Sequence, residues 1–163
     1  MFQREASAED EPFLWVMLTH AASMTPGGAA SVAAAKADAG LSWYVAGWTQ
    51  RAGDLGVLAI DDGGAPLGAA WVRLLEREHP HKVATHEVPE LAIGVEPAHR
   101  GRGIGARLLE ELVRRARGRY PALALSVRET NPSVHLYARA GFVVERAIVN
   151  RVGGRSLMMR RAL

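Results

Sequence analysis

The stretch that decides the fold runs from Glu90-Leu-Ala-Ile-Gly-Val-Glu-Pro-Ala-His-Arg-Gly-Arg-Gly-Ile-Gly105 into Ala106-Arg-Leu-Leu-Glu-Glu-Leu-Val-Arg-Arg-Ala-Arg117. It reads as a buried strand, a sharp Arg/Gly turn and a long amphipathic helix. The apolar run 91–95 is too short for a core helix and is ended by Glu96-Pro97. From Ile104 onward the apolar residues Ile104, Leu108, Leu109, Leu112, Val113 and Ala116 keep a 3.6-residue period, which predicts a helix over 104–117. On its polar face Glu110 precedes Arg114, and Glu111 precedes Arg115, at the favourable i,i+4 spacing.

The turn suits an anion. The first turn of a helix has backbone N–H groups without partners and a partial positive charge from the dipole. Gly101, Gly103 and Gly105 let a phosphate approach those donors, and Arg100 and Arg102 add full charges. The same residues also fit a flexible helix start with solvated arginines. Residues 101–106 formally match the dinucleotide fingerprint G-x-G-x-x-A, but its context is wrong. That fingerprint follows directly on a strand and needs an acidic residue about 20 positions later. Here five residues, 96–100, intervene, and the later region is Gly118-Arg119-Tyr120-Pro121. No Lys-Ser/Thr follows the glycines as a Walker loop requires.

The segment Arg100-Gly101-Arg102-Gly103-Ile104-Gly105 resembles the pyrophosphate signature of the GNAT superfamily of N-acetyltransferases, Gln/Arg-x-x-Gly-x-Gly/Ala. A second signature of that superfamily, Asn-x-x-Ala/Ser-x-x-Leu-Tyr-x-x-x-Gly-Phe, resembles Asn131-x-Ser133-x-x-Leu136-Tyr137-x-x-x-Gly141-Phe142. Read without the resemblance, Asn131 caps a helix, Pro132 suits its first position and Gly141 its C-terminal cap. The two signatures stand in the family's order within one chain.

The remaining sequence agrees with this frame. Residues 2–5 read as a first strand, and Ser7 with Asp10 as a capping box before a helix over 8–22. Arg4-x-Ala6-x-x-x-Asp10 looks like the opening of many GNAT chains. Met24-Thr25-Pro26-Gly27-Gly28 breaks that helix, and 29–37 and 41–50 read as two short helices. Trp43, Tyr44 and Trp48 are read as packing. Strands 56–60 and 67–75 form a hairpin across Asp61-Asp62-Gly63-Gly64, and strands follow at 88–95 and 122–127. Residues 143–151 and 156–160 make a last hairpin through Gly153-Gly154. The polar stretch 76–87 holds His79, His81 and His86, but its spacing matches no common metal site, and a solvated loop is expected.

Bulk properties set the outer bounds. A chain of 163 residues suits one domain, read as 1–163, and 48% hydrophobic with 23% charged residues is ordinary for a globular protein. The absence of Cys excludes disulfide scaffolds, zinc–thiolate sites and cysteine nucleophiles. The net charge of +3 is mild, with much of the arginine spread over 104–117 and the C-terminal tail, so no nucleic-acid partner is inferred. No segment approaches about 18 apolar residues and no apolar leader opens the chain, so no membrane association and a cytoplasmic location are expected.

The resemblance implies an α+β fold, a mixed and mostly antiparallel sheet of six to seven strands flanked by helices. It implies acetyl-coenzyme A as cofactor, with its pyrophosphate on Arg100, Gly101, Arg102, Gly103, Ile104, Gly105 and Ala106. Ile93, Gly94 and Val95 would line the acyl end, beside a bulge in the strand and where strands splay, and Asn131, Ser133 and Tyr137 would complete the site. The acceptor would be an amine on a small molecule, peptide or protein, and a homodimer is allowed. An amine attacking a thioester needs a general base, an oxyanion donor and a proton for the thiolate. Glu90 stands at nearly the family's spacing for a strand glutamate base, with Glu87 and His86 as rivals. It also reads as a strand-end carboxylate in solvent. Tyr137 is the general acid by resemblance, and a core tyrosine otherwise. A backbone N–H near Val95 would meet the oxyanion. A non-catalytic acyl-coenzyme A sensor and a dinucleotide-binding module are the other classes in view.

Overall fold

The computed structural model describes residues 1–22, 29–74, 87–150 and 153–163. His79, His81, His86, the breaker around Pro26 and Arg151 lie outside the described residues. In chain order the elements are β1 (Phe2–Glu5), α1 (Glu11–Ala21), α2 (Ala29–Ala37), α3 (Ala39–Ser42), β2 (Leu55–Ile60), β3 (Pro66–Arg73), β4 (Glu90–Val95), α4 (Ile104–Ala116), β5 (Ala122–Arg128), α5 (Ser133–Arg139), β6 (Val143–Val149) and β7 (Arg155–Ala162). Short 3₁₀ turns at Ala8–Asp10 and Pro97–His99 precede α1 and α4.

The strands form one seven-stranded sheet in the order β1-β2-β3-β4-β5-β7-β6. All neighbours are antiparallel except β4 and β5, which are parallel and joined through α4. The expected mixed, mostly antiparallel sheet is what the chain forms. Alternation along β3 and β4 divides the core in two. Val72, Leu91 and the apolar stripe of α4 lie on one face with Tyr137 and Phe142. Trp71 and Ala92 lie on the other with Leu14, Met17 and Leu18 of α1. Leu108, Leu109 and Leu112 are fully buried, so cutting any one to Ala removes about 2–5 kcal/mol.

Local chemistry sets the ends. Asp10 accepts from the Ser7 backbone N–H at 2.7 Å, as the capping box requires, and binds Arg4 through both carboxylate oxygens at 2.7 Å. The Arg4 guanidinium and Ser7 hold the Asp10 carboxyl below its ordinary value. On α4 the expected Glu110–Arg114 pair does not form. Arg114 turns to Glu111 with two bonds of 2.7 Å, a geometry that lets one carboxylate serve Arg114 and Arg115 together. These partners, Arg114 first, hold the Glu111 carboxyl down to about 2.

Two expectations fail. The helix expected over 41–50 stops at Ser42 and gives way to turns. Gly47 and Thr49 take left-handed φ values of 65° and 71°, which a right-handed helix cannot contain. The buried Arg73 guanidinium binds the carbonyls of Trp43, Ala46 and Gly47 at 3.0, 2.8 and 3.3 Å and fixes the turn. The bulge expected in β4 is also absent. β3 and β4 keep unbroken register from Gly68 opposite Val95 to Arg73 opposite Glu90.

Gly94 marks where α1 meets the sheet. A Cβ there would stand 2.6 Å from the Met17 carbonyl oxygen and 3.0 Å from the Met17 Cβ. Helix backbone cannot yield as a flexible side chain can. Gly94→Ala is therefore expected to lower unfolding free energy by about 1–3 kcal/mol, measured by urea denaturation; an unchanged midpoint would mean that α1 is free to shift.

Candidate active site

The site begins where two strands part. β4 and β5 share a single register pair, Glu90 opposite Ala124, supported by Ala124 N–H to Pro89 O at 3.1 Å. Beyond it Leu91–Val95 and the outer part of β5 have no register pairs, so the strands splay as expected, without the bulge expected beside them. Ile93 and Val95, half-buried, line the α4 side of this opening, and Gly94 faces α1. A virtual Cβ on Gly105 lies 3.9 Å from both Ile93 Cδ1 and Val95 Cγ2, and 3.5 Å from Leu136 Cδ2. The structure thus brings the end of β4, the start of α4 and α5 together, as the two sequence signatures require.

At the head of α4, Gly103 is the N-cap in the left-handed region with φ 75°, and no side chain caps the helix. Gly101 also has φ 73°, and a Cβ at either position would have no atom within 4 Å. The first turn of α4 is therefore uncapped by any side chain, with open space beside Gly101 and Gly103. Arg102, Gly103 and Ala106 are exposed, and Ile104 is buried in the core. This surface fits the pyrophosphate of coenzyme A by donor type and room. Arg100 is exposed, and its Nε donates to the Val95 carbonyl at 3.1 Å, tying the loop to the strand end. Arg102 reaches His99 Nδ1 at 2.9 Å. A cleft of about 370 Å³ beside the turn joins Arg102 and Arg107 to Asp61 and Asp62. Its mixed charge suits an anion less than the bare amides do.

Asn131 and Ser133 serve the fold first. The Asn131 carboxamide oxygen accepts the Ser133 backbone N–H at 2.9 Å and so starts α5. Tyr137 is 7% exposed and packs edge-on to Phe142, with ring centroids 6.0 Å apart. Burial pushes its hydroxyl well above the ordinary phenol value, so it keeps its proton at neutral pH. The ring is thus part of the core, as the core-tyrosine reading expects, and its hydroxyl is protonated.

Glu90 is not a solvated strand end. It is 2% exposed, and Tyr44 donates its hydroxyl to Glu90 Oε1. Glu87 is exposed. The reading of Trp43, Tyr44 and Trp48 as packing holds for Trp48, which is buried in the core under α1, and for the ring of Tyr44, which packs against the same core. Trp43 stacks on the Arg51 guanidinium, 3.4 Å from the ring centroid, and Tyr44 turns its polar end into the site. Sequence reasoning missed that residue, and it missed Arg73. The only prior hint was a charged residue closing an otherwise apolar strand. Among the described residues no group of three or more His, Asp or Glu side chains could hold a metal.

These features define an acyl-coenzyme A-binding fold built around a splayed strand pair. The sequence profile of the acetyltransferase (GNAT) family matches residues 26–142, and the chain belongs to that family, whose reaction is acetyl transfer from acetyl-coenzyme A to an amine. The chain is 42% identical over 81 residues to the N-alpha-acetyltransferase RimI of Mycobacterium tuberculosis. That match covers 49% of this chain and 47% of the relative, so the chain aligns with about half the length of the curated relative. A ribosomal-protein-alanine N-acetyltransferase from Brucella melitensis shares the fold with a TM-score of 0.67, 19% identity and 100% of both chains covered. A phosphinothricin acetyltransferase from Sinorhizobium meliloti, solved in complex with AcCoA, gives 0.68 and 24% identity over 99% of this chain and 88% of its own.

Gly103→Asp tests the turn as the seat of the pyrophosphate. The left-handed φ is one that Asp tolerates better than most residues, and the space is open, so the fold should persist. The added carboxylate would repel the diphosphate. Calorimetry should show acetyl-coenzyme A affinity falling by roughly 10-fold or more; unchanged affinity would move the site elsewhere.

Proposed function

We propose that the chain acts as one acyltransferase domain over 1–163, moving an acetyl group from acetyl-coenzyme A to a primary amine by direct attack. The observation that carries this reading is the splay of β4 from β5, with bare α4 amides at one end and a buried carboxylate at the other. Acetyl-coenzyme A, when bound, supplies an acetyl thioester. Gly101, Gly103, Ile104, Gly105 and Ala106 would hold its diphosphate through backbone N–H groups, with Arg100 and Arg102 adding charge. A backbone N–H near Val95 would meet the developing oxyanion, a contact worth about 3 kcal/mol in such transition states.

Two side chains move protons. An alkylammonium must lose a proton before its nitrogen can attack, and Glu90 takes it through water, since the carboxylate is buried. As the new C–N bond forms and the C–S bond breaks, the Tyr137 hydroxyl gives its proton to the departing sulfur. The surplus proton on the new amide nitrogen then returns to the Tyr137 phenolate. The net change is an amide, a thiol and one proton passed from Glu90 to solvent. With no cysteine in the chain, no cysteinyl acyl-enzyme can form.

The relatives' names include a protein alanine and phosphinothricin, so they support amine acetylation without selecting one acceptor. The reading includes a cytoplasmic location, where the donor is available; among the described residues no helix is long and apolar enough to cross a membrane. It also includes a homodimer through the outer edge of β6, where Val143, Val144 and Val149 are exposed.

Turnover of acetyl-coenzyme A with a panel of an Ala-initiated peptide, a lysine peptide, spermidine and phosphinothricin tests the activity directly. Saturable binding without turnover would instead mark a sensor. Glu90→Gln should slow the reaction most on the acidic limb of the pH–rate profile, where the acceptor is ammonium, and should spare acetyl-coenzyme A affinity. A wild-type profile in that variant would remove Glu90 as the base.

Tyr137→Phe keeps the ring that packs on Phe142 and deletes only the hydroxyl. Turnover should fall by about 100-fold, the lower end for one general acid, with melting temperature and acetyl-coenzyme A affinity near wild type. A lowered melting temperature with normal turnover per folded molecule would assign Tyr137 to packing alone.

A further inference from the structure

The Glu90 carboxylate is held by a buried polar assembly that the acetyl-transfer scheme does not use. Arg73 lies directly across the β3–β4 ladder from Glu90 and so shares its face. It is fully buried, and all five of its N–H groups are bonded. Nε and Nη2 bind the Asp54 carboxylate at 2.9 and 2.7 Å; the rest reach the carbonyls of Trp43, Ala46 and Gly47. Its hydrogen-bonding capacity is therefore spent on the turn, leaving only through-space charge for Glu90. The Trp71 indole N–H, one turn of the pleat away, donates to the Tyr44 carbonyl at 3.0 Å. Trp43 and Tyr44 are thus both pinned by buried donors of β3, and the phenol is delivered to Glu90 Oε1.

Other charges near this strand are engaged elsewhere. On α1, Glu11 accepts from the Trp15 indole and the Trp48 backbone N–H, and His20 faces Glu96 at 3.9 Å. The β5 side presents Ala122 and Ala124. The groups that face Glu90 from the elements packed on it include Tyr44, Arg73 and, behind Arg73, Asp54, with the exposed Glu87 three positions before it in the chain. Burial and then the charge of Glu90 push the Tyr44 hydroxyl well above the ordinary phenol value, so it remains a donor across the working pH range.

We propose that Tyr44 is the positioning residue of the Glu90 base, its hydroxyl fixing one carboxylate oxygen and holding the group ionised where burial alone would favour the neutral acid. The inference rests on the reading of Glu90 as base. A hydrogen bond to a carboxylate favours its charged form, and desolvation disfavours it. Without the hydroxyl, Glu90 would bind its proton more tightly and enter the cycle already protonated over more of the pH range. The turn 43–47 thereby sets the lowest pH at which the reaction runs. Tyr44 need not touch the acceptor.

The test compares wild type, Tyr44→Phe, Glu90→Gln and the double variant, with 3-fluorotyrosine placed at position 44 as a stronger donor. Carbon-13 NMR of glutamate carboxyls in the cofactor-free protein, with the Glu90 signal assigned by its loss in Glu90→Gln, reads the titration without any reaction. Tyr44→Phe should raise the Glu90 midpoint and the acidic limb of the pH–rate profile together, by about one pH unit. The rate on that limb should fall by about 10-fold or more, measured with the panel amine that is turned over fastest. Fluorotyrosine should move both the other way, and decides the matter alone if the Phe variant does not fold. The double variant should be no slower than Glu90→Gln, because Tyr44 acts through Glu90. An unmoved carboxyl midpoint, or an unmoved profile in Tyr44→Phe, overturns the inference and reduces the contact to a structural tie. Wild-type turnover in Glu90→Gln instead overturns the reading of Glu90 on which it rests.

Discussion

The site depends on one constraint: two parallel strands at the centre of the sheet that pair only once. Glu90 opposite Ala124 closes the base of the opening, and everything beyond it on β4 has lost its neighbour on that side. Unpaired backbone in the middle of a sheet is costly unless something supplies partners. The remainder of the molecule holds that gap open. β3 stays in register along the whole of β4, α4 packs under Ile93 and Val95, and α1 sits hard against Gly94. The gap is therefore rigid on three sides. An extended ligand arm with amide groups is the chemical form that can satisfy a strand edge, and the pantetheine part of coenzyme A has that form.

The two faces of the sheet divide the labour. On the α4 face the chain supplies apolar support and the exposed amides at Gly103, and there Tyr137 is buried with its proton retained. On the α1 face it supplies Glu90, Tyr44 and the Arg73 assembly. Because side chains alternate along β4, Glu90 lies on the α1 face while Ile93 and Val95 lie on the α4 face, where α5 brings Tyr137.

What could be read from the sequence was what local chemistry encodes. The stripe from Ile104 to Ala116, the left-handed glycines of the turn and the Asn131 cap each depend on residues a few positions apart. They appear within a residue or two of where the pattern puts them. The same holds for Ser7 and Asp10. The contacts that define the α1 face are long-range: Tyr44 meets Glu90 across 46 positions, and Arg73 meets Trp43 across 30. No periodicity carries such a contact. An aromatic in a mixed stretch reads as packing by default, which served for Trp48 and for the ring of Tyr44 but gave no sign of the Tyr44 hydroxyl's bond to Glu90. The short helix expected beyond Ser42 failed for a related reason, since the left-handed turn at Gly47 and Thr49 is fixed by a guanidinium from a distant strand. The bulge attributed to β4 was a family expectation, and here strand divergence does that work with β4 left regular.

Arg73 has a consequence for how the molecule assembles. A guanidinium buried with all its donors engaged is tolerable only when every acceptor has arrived, and those acceptors come from the 43–47 turn and from Asp54. A β2–β3 hairpin formed without the turn would keep the Asp54 pair, since Asp54 directly precedes β2. It would leave the donors meant for Trp43, Ala46 and Gly47 to water, so Arg73 can be buried only with the turn in place. Burial of Arg73 is thereby tied to the turn that it bonds and, through that turn, to the seat of Tyr44 on the same side of the sheet. The charge buried beside Glu90 acts as a check on completion, admitting the sheet's α1 face to the native state only when it is fully built.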